Sequence, residues 1–360
     1  MKWEIAKLGD ISRNIQTGPF GSQLHQSDYS ESGIPVVMPK DLVGGKISEE
    51  SIARVDKTHV ERLCRHKIET GDILYSRRGD VGRCAYVTEK EVGWLCGTGC
   101  LRVTIDSEKA DSRFVFFQLQ HPDTVGWVEK HAVGATMLNL NTTILSSVPI
   151  RLPALESQKR IANVLSAYDD LIENNQKQIK LLEEAAQRLY KEWFVDLRFP
   201  GHENTKIVDG VPEGWNWCKL EDAIRFDPKV TLTKERMKQF VPMSALSTSS
   251  MVLDESQFTE TTANSGSKFQ NGDTLLARIT PCLENGKTAY VSGLESDEGA
   301  VGSTEYIVMR AKTINSYMVY LLARTVDFRQ SAINSMSGSD GRQRVKSDKL
   351  KLLDYLHPTS

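Results

Sequence analysis

The chain of 360 residues lacks the segments that would carry it into or across a membrane. No apolar run reaches the roughly 18 residues that a membrane-spanning helix needs. The N-terminal sequence MKWEIAKLGD has no signal-peptide character. A hydrophobic content of 39% is enough for two or three globular cores in a chain of this length. We therefore expect a cytoplasmic protein without membrane contact.

Metal-binding and catalytic motifs are missing as well. The six cysteines form no CxxC pair, and Cys96 and Cys100 lack the second ligand pair of a structural zinc site. The sequence contains no P-loop, HExxH or GxSxG motif, no N/DPP(Y/F) loop of a methyltransferase and no PD…ExK pattern of a nuclease. We expect no catalytic residue, metal or cofactor on this chain. The formal net charge of -2 decides nothing about nucleic acid, because an acidic helix can mask basic faces elsewhere.

Glycine and proline are absent from one long stretch, Leu155 to Trp193. Its apolar residues recur at alternating steps of four and three, which is typical of a coiled-coil seam and not of the broader stripe of a globular helix. At 1.5 Å per residue such a helix would be roughly 55–60 Å long, so a spacer or docking helix is predicted in place of an ordinary surface helix. The seam consists of Ile161, Leu165, Tyr168, Ile172, Asn175, Ile179, Leu182, Ala186, Leu189 and Trp193.

The pattern that precedes this stretch returns after it. Trp3-x4-Leu8-x-Asp10 returns as Trp215-x4-Leu220-x-Asp222, and Gly71-Asp72-x-Leu74-x-x-Arg77 returns as Gly272-Asp273-x-Leu275-x-x-Arg278. Offsets that drift only between about 201 and 212 residues indicate two copies of one domain with loop insertions.

Short β-branched runs punctuated by Gly and Asp predict strands, and the segment SRFVFFQL at 112–119 predicts a helix. The predicted fold class is α+β, with two similar β-rich domains joined by a long coiled-coil-type α-helix. The first domain is expected to contain a twisted, mostly antiparallel sheet or half-barrel. The predicted boundaries are 1–153 for the first domain, 154–198 for the helix, 199–214 for a linker and 215–360 for the second domain, with no second long helix after it.

The repeated residues favour binding over catalysis. None of the seven histidines recurs at a matching position, and the residues that do recur are Gly, Asp, Leu, Arg and Tyr. Two similar faces on one spacer suit two half-sites on a DNA duplex, whose helical turn is about 34–36 Å. Cations would contact phosphates, while Arg reads guanine and Asn or Gln reads adenine. The candidate DNA-contacting residues are Thr17, Ser22, Gln23, Lys40, Arg77, Arg78, Arg83, Thr136 and Asn139 in the first copy and Lys268, Arg278, Lys287, Arg342 and Arg344 in the second.

Four motifs together resemble the specificity (S) subunits of type I restriction–modification systems, the HsdS family. The most specific runs from Val148 to Ile161 and is similar to the IPLPPLxEQxxI sequence with which that family starts its long helix, although Ser157 stands where Glu is usual. The other three are Thr17-Gly18-Pro19-Phe20-Gly21-Ser22, Gly71-Asp72-Ile73-Leu74-x-Ser76-Arg77-x-Gly79-x-Val81-Gly82 and Gly134-Ala135-Thr136-x-x-Asn139-Leu140-Asn141.

The resemblance implies a non-catalytic subunit with two target-recognition domains, each of which reads one half of a gapped, asymmetric target on double-stranded DNA. It implies modification subunits that bind S-adenosylmethionine and methylate adenine N6. It also implies restriction subunits that use ATP and Mg and cut DNA, so these cofactors are expected on the partners. In the family two long helices pack together, and this chain has one. An uncovered apolar seam therefore predicts a partner, which is a second copy, a separate helix-bearing fragment or the modification subunits.

Three alternatives stay open at this point. A two-domain coiled-coil scaffold would bind proteins and show no affinity for duplex DNA. A regulatory or anti-restriction fragment would share the architecture of the specificity subunits but not their physiological role. An enzyme would use the repeated Asp72 and Asp273 in catalysis, but each follows Gly in a turn before a strand, which favours a structural role.

Overall fold

The computed structural model describes residues 3–20, 23–134, 138–296, 298–339 and 341–358. The chain divides into two compact units, Met1–Ile172 and Glu173–Ser360, and the division falls within one long helix. Each unit combines short helices with small β-sheets. The predicted α+β class, with two similar β-rich domains joined by a long helix, is confirmed.

In the first unit, most of the regular structure precedes the long helix. Its helices are α1 (Lys57–Arg62), α2 (Ser112–Gln120), α3 (Pro122–His131) and α4 (Thr142–Ser146), and the long helix is α5 (Leu155–Tyr190). Its strands are β1 (Glu4–Lys7), β2 (Ser12–Thr17), β3 (Tyr29–Ser30), β4 (Ile34–Val37), β5 (Leu42–Val43), β6 (Lys46–Ile47), β7 (Ala53–Val55), β8 (Ile73–Ser76), β9 (Cys84–Tyr86), β10 (Leu95–Cys96), β11 (Cys100–Ile105) and β12 (Pro149–Leu152).

The central sheet of the first unit has the strand order β2-β11-β8-β9, and all of its pairs are antiparallel. Strand β11 alternates buried Leu101 and Val103 with half-buried Arg102 and Thr104, so one face of the strand supplies the core. The core cluster extends from these residues to Val115 on α2 and neighbouring apolar side chains. A second sheet, β10-β4-β7-β3, contains one parallel pair, β4 with β10.

The second unit repeats this arrangement. Its short helices are α6 (Leu220–Ala223), α7 (Ser316–Arg324), α8 (Val326–Asn334) and α9 (Ser347–Lys351). Its strands are β13 (Ile207–Val208), β14 (Val211–Pro212), β15 (Trp215–Lys219), β16 (Ile224–Phe226), β17 (Lys238–Val241), β18 (Thr259–Thr261), β19 (Ser267–Phe269), β20 (Thr274–Ala277), β21 (Thr288–Tyr290), β22 (Ala300–Gly302), β23 (Tyr306–Ala311) and β24 (Asp354–Pro358).

Corresponding strands occupy corresponding places in the two central sheets. The order β16-β23-β20-β21 matches β2-β11-β8-β9, and the antiparallel pair β15-β24 matches β1-β12. A parallel pair, β17 with β22, corresponds to β4 with β10. The internal repeat that was predicted from the sequence is therefore a structural repeat. The Gly- and Pro-rich stretch predicted to be a linker contains a short hairpin, β13 with β14.

The predicted long helix is present as α5 and continues as a π-helical turn, Lys191–Val195. Its first turn is tied to the first unit by Gln158, which is buried. The Gln158 Oε1 atom accepts a hydrogen bond from the Asp111 N–H at 3.0 Å, and Nε2 donates to the Pro153 carbonyl at 2.9 Å. A buried amide with both ends satisfied explains why Gln stands in the motif that precedes Ile161. No helix among the described residues is long and apolar enough to cross a membrane.

A buried carboxylate holds the turn before the central strand of each unit. Gly71 and Gly272 have φ of 89° and 91°, and the aspartate that follows each accepts a backbone N–H at 2.9 Å. Asp72 also accepts from the Thr104 hydroxyl at 2.5 Å, and burial raises the pKa of Asp72 above its usual range. Both repeated aspartates therefore accept hydrogen bonds from groups within their own unit.

Asp273 has the stronger counterion of the two aspartates. Its carboxylate is bidentate with Arg310, at 2.6 Å from Nε and 2.7 Å from Nη2. The Asp273 side chain is 1% exposed and that of Arg310 is 21% exposed. Hydrogen bonding to Asp273 raises the pKa of Arg310 further above its usual range. Removing one partner of such a pair leaves the other charged with little solvent.

We expect Asp273→Ala to lower the free energy of unfolding of the second unit by about 3 kcal/mol, because Arg310 loses its counterion and the turn loses an acceptor. Asp273→Asn keeps an acceptor for the turn and should cost less. Urea unfolding followed by tryptophan fluorescence measures both. The control is Glu260→Gln on β18, where the side chain is exposed. A loss for Asp273→Ala no larger than that of the control would refute the role given to this pair.

Candidate nucleic-acid interface

In each unit the central strand that begins directly after the buried aspartate is followed by an arginine whose backbone is held from two sides. The Arg77 N–H donates to the Gly99 carbonyl, and the Arg77 carbonyl accepts from the Leu140 N–H, both at 2.8 Å. In the second unit the Arg278 N–H donates to the Glu305 carbonyl at 3.0 Å. The Arg278 carbonyl accepts from the Val345 N–H at 2.9 Å. The same pair of backbone hydrogen bonds is therefore built twice.

Two loops meet at this arginine in each unit. We call residues 77–83 with 133–134 and 138–140 the first loop pair, and residues 278–283 with 337–339 and 341–345 the second loop pair. Further backbone bonds join them, from Gly79 to Leu138 and from Thr280 to Gln343, each at 3.1 Å. Leu140 and Val345 are fully buried in the cores. The loops are therefore fixed by backbone bonds and by core side chains.

The guanidinium groups of the two equivalent arginines carry unused donors. The Nε atoms of Arg77 and Arg278 are buried, and neither has a hydrogen-bond partner in the described part of the chain. Both side chains are half-buried at the end of the central sheet. An unsatisfied, permanently charged N–H is costly without an acceptor, so this position favours a ligand that carries hydrogen-bond acceptors.

A second equivalent position differs in chemistry between the units. Asn139 forms isolated bridges with Arg78 and Val133, and Arg344 forms them with Ile279 and Ser337. The Asn139 Oδ1 atom is buried, and the described residues offer it no donor.

Arg344, in contrast, is paired with an acid. Its Nε lies 2.9 Å from Oε2 of Glu305, and its Nη2 lies 2.7 Å from Oε1. Hydrogen bonds from Arg344 lower the pKa of Glu305, so this carboxylate is ionised near neutral pH. The two loop pairs therefore share a backbone arrangement but present different side chains.

Several other predicted residues lie on or beside the loop pairs. Arg78 and Arg83 are exposed in the first, and Arg83 Nε pairs with Asp80 at 2.6 Å. Thr17 ends β2, and the next residue donates its N–H to the Cys100 carbonyl beside Gly99. Arg342 is exposed in the second loop pair.

Other candidates are tied elsewhere or lie outside the described residues. Gln23 accepts from the Phe20 N–H at 3.3 Å, and Lys40 donates to the Ser51 carbonyl at 2.6 Å. Lys268 lies on β19, half-buried. Lys287 lies beside Arg278 because its carbonyl accepts from the Ala277 N–H at 3.1 Å, but its Nζ donates to the Met243 carbonyl at 2.8 Å. Ser22 and Thr136 lie outside the described residues.

Sequence reasoning missed Gly99 and Glu305, which differ between the copies although each supplies the carbonyl that holds the arginine. The internal repeat does, however, indicate that Asn139 and Arg344 are equivalent positions. Applying the offset of 205 residues that relates Pro153 to Pro358 to Asn139 gives Arg344. Glu305 had no such signal, because a glycine stands at its counterpart.

The predicted seam of α5 is mostly exposed. In the first unit Leu165, Tyr168 and Ile172 are exposed, and in the second unit Ile179, Leu182 and Leu189 are exposed. Asn175 is also exposed, whereas Ile161, Ala186 and Trp193 are half-buried. The pattern did not single out Val164, Leu171 and Leu181, which are exposed as well. Water-exposed apolar stripes of this kind are typical of surfaces that another chain covers.

No group of three or more His, Cys, Asp or Glu side chains is placed to hold a metal ion in the parts of the chain that the structure describes. One buried histidine nevertheless lies near the cations of the first unit. His66 is 4% exposed, and burial, followed by the charges of Arg65 and Arg102, lowers its pKa. Folding therefore disfavours the protonated imidazole.

This histidine predicts a defined pH dependence of stability. Because the folded pKa lies below the unfolded value of about 6.5, the contribution of His66 is complete above pH 6.5 and is lost as pH falls through the folded pKa. We expect His66→Gln to flatten the unfolding free energy between pH 7.5 and 5 by up to about 1.4 kcal/mol per pH unit. Urea unfolding at stepped pH measures this slope. Exposed His25→Gln is the control, and an unchanged slope in His66→Gln would contradict the assignment.

The match to a known protein family covers the first unit and the beginning of the second. Residues 1–184 match the model of a family described as the type I restriction modification DNA specificity domain. The MjaIX specificity subunit of Methanocaldococcus jannaschii, a type I restriction enzyme subunit, is 28% identical over 233 residues, or 62% of this chain and 52% of that protein. The EcoAI specificity subunit of Escherichia coli is 34% identical over 140 residues, or 38% of this chain and 24% of that protein. The chain thus spans about half the length of the first relative and about a quarter of the second.

A solved structure shares the fold. The S subunit of a type I restriction–modification system from M. genitalium matches with a TM-score of 0.62 over 100% of this chain and 86% of that one. The sequence identity is 15%, so this likeness concerns the fold alone.

Proposed function

The chain belongs to the family of type I restriction modification DNA specificity domains, and we propose that it is a cytoplasmic, non-catalytic specificity subunit that reads a gapped target on double-stranded DNA. One observation carries the proposal: a loop pair built around an arginine with unused donors occurs once in each unit. Two copies of one contact surface suit two half-sites on the same duplex.

The local charge of the loop pairs supports this reading. The first contains three arginines and one aspartate, Asp80, and the second contains three arginines, one of which pairs with Glu305. Both are therefore locally basic, although the whole chain has a formal net charge of -2. Local cations, not net charge, determine contact with phosphates.

Partner subunits would supply the chemistry. We propose that modification subunits, which bind S-adenosylmethionine, cover the exposed apolar side of α5, and that a restriction subunit supplies ATP- and Mg-dependent cleavage. The support is the exposed row Leu165, Tyr168 and Ile172, which leaves apolar surface in water. A second copy of the chain or a separate helix-bearing fragment would cover the same row.

We expect Arg77→Ala and Arg278→Ala each to weaken duplex binding and to reduce the dependence of log K on log salt by about one, the value of one lost phosphate contact. The measurement is affinity of the full chain, bound to the modification subunit of its own system, for a pool of randomised DNA duplexes across a salt series. Arg13→Ala and Arg225→Ala are matched controls, because these exposed arginines occupy equivalent places near the start of β2 and β16. They should leave the slope unchanged.

Absence of any salt-dependent duplex affinity in the unaltered complex would reject the proposed function and favour a protein-binding scaffold. Equal slopes for all four variants would reject these loop pairs as the DNA surface while leaving DNA binding itself in place.

For the helix, we expect Leu165→Glu with Ile172→Glu to abolish co-purification with the modification subunit, because two charges would be buried without partners. The control pair is Asn163→Glu with Asp169→Glu, at exposed polar positions of the same helix. Light scattering of the unaltered chain alone gives its mass. Co-purification with the modification subunit that survives both glutamate substitutions would refute the docking role of this row.

A further inference from the structure

Comparing the two loop pairs distinguishes the residue that both units share from the residues that differ between them. Arg77 and Arg278 are the same residue in the same backbone setting. Around them the residues differ: Arg78 corresponds to Ile279, Gly99 to Glu305 and Asn139 to Arg344, as the shared backbone bonds and bridges define. Phosphates are alike in every DNA sequence, whereas base edges are not. The shared residue therefore suits phosphate, and the residues that differ suit bases.

The Arg344–Glu305 pair is not needed to build the second loop pair. The first unit forms the equivalent bridges with Asn139 and holds Arg77 with the carbonyl of Gly99. In the second unit, backbone bonds to Arg278 and Thr280 and the buried side chain of Val345 already fix the loops. With side-chain exposures of 41% and 24%, the ion pair adds little stability in water. Its geometry therefore calls for another explanation.

Glu305 fixes one edge of the Arg344 guanidinium and leaves the other available. Nε and Nη2 donate to the carboxylate, and Nη1 donates once to the Arg342 carbonyl at 3.2 Å. A guanidinium has five N–H groups, so one on Nη1 and one on Nη2 remain. Two adjacent, preoriented donors match the O6 and N7 acceptors on the major-groove edge of guanine. An arginine that is already held loses less side-chain entropy when it binds.

We propose that Arg344 reads a guanine in the half-site of the second unit and that Glu305 is its positioning residue. The inference rests on the proposed DNA-reading function. The first unit carries Asn139 and Gly99 at these places, so it does not share this guanine contact, and the two half-sites differ there. Arg278 supplies the accompanying phosphate contact, as Arg77 does in the first unit.

Selection from a randomised duplex pool tests this directly. The full chain, bound to the modification subunit of its own system, is compared with Arg344→Gln, Arg344→Lys and Glu305→Gln. We expect the unaltered complex to select a guanine at one position of one half-site. Arg344→Gln should lose that preference and bind the originally selected duplex about tenfold to a hundredfold more weakly. Arg344→Lys keeps the charge but not the planar fork, so it should retain the salt slope and lose the guanine preference.

Glu305→Gln keeps the size of the side chain and should weaken the guanine preference several-fold without changing the other half-site. Arg225→Gln, an exposed arginine on β16 outside the second loop pair, is the control and should leave the guanine preference intact. Urea unfolding verifies that each variant folds. If Arg344→Gln does not fold, the guanine preference of Glu305→Gln decides the test.

The outcomes separate the two levels of the argument. A complex that selects no sequence at all overturns the proposed function and this inference together. Selection that survives in Arg344→Gln with the same guanine overturns the inference alone and leaves the pair a structural one. If Arg344→Gln weakens every duplex in the pool equally while Arg344→Lys largely retains binding, Arg344 is a phosphate contact, which also overturns the inference.

Discussion

A carboxylate that is almost excluded from water can be satisfied in one register only, and this constraint positions both loop pairs. Asp72 and Asp273 must meet a backbone N–H on one side and a hydroxyl or cationic partner on the adjacent strand, β11 or β23, on the other. A slip of one residue would turn every side chain of the central strand to the opposite face. Arg77 and Arg278 follow five residues later in the sequence, so the buried aspartate at one end of the strand sets the position of the arginine at the other end.

The sequence was sufficient for the parts of the fold whose signals are local or repeated. The uninterrupted four-three spacing from Ile161 onward predicted the long helix, which ends at Tyr190 before a π-helical turn. The recurrence of Gly71-Asp72 as Gly272-Asp273 predicted two copies of one domain, and the strand orders agree. Both signals survive because they depend on spacing along the chain and not on the partners that folding brings together.

Other features depend on partners that are distant in sequence. The pairing of Arg344 with Glu305 joins residues separated by 39 positions, and the glycine at the counterpart of Glu305 hides it from any comparison of the two copies. The cations Lys40 and Lys287 resembled free DNA contacts in the sequence, but folding directs each to a carbonyl. Exposure and pairing are tertiary properties, which composition cannot supply.

The backbone bonds that join each loop pair have a consequence for how such a protein changes over time. Hydrogen bonds between peptide groups do not depend on which side chain is present, so positions 139 and 344 can carry an amide or a guanidinium on an unchanged support. Each unit has its own core and its own loop pair. A substitution at one of these positions therefore alters a single surface without unsettling the other. A single substitution can therefore change the contacts that one loop pair offers, and the two units can diverge independently.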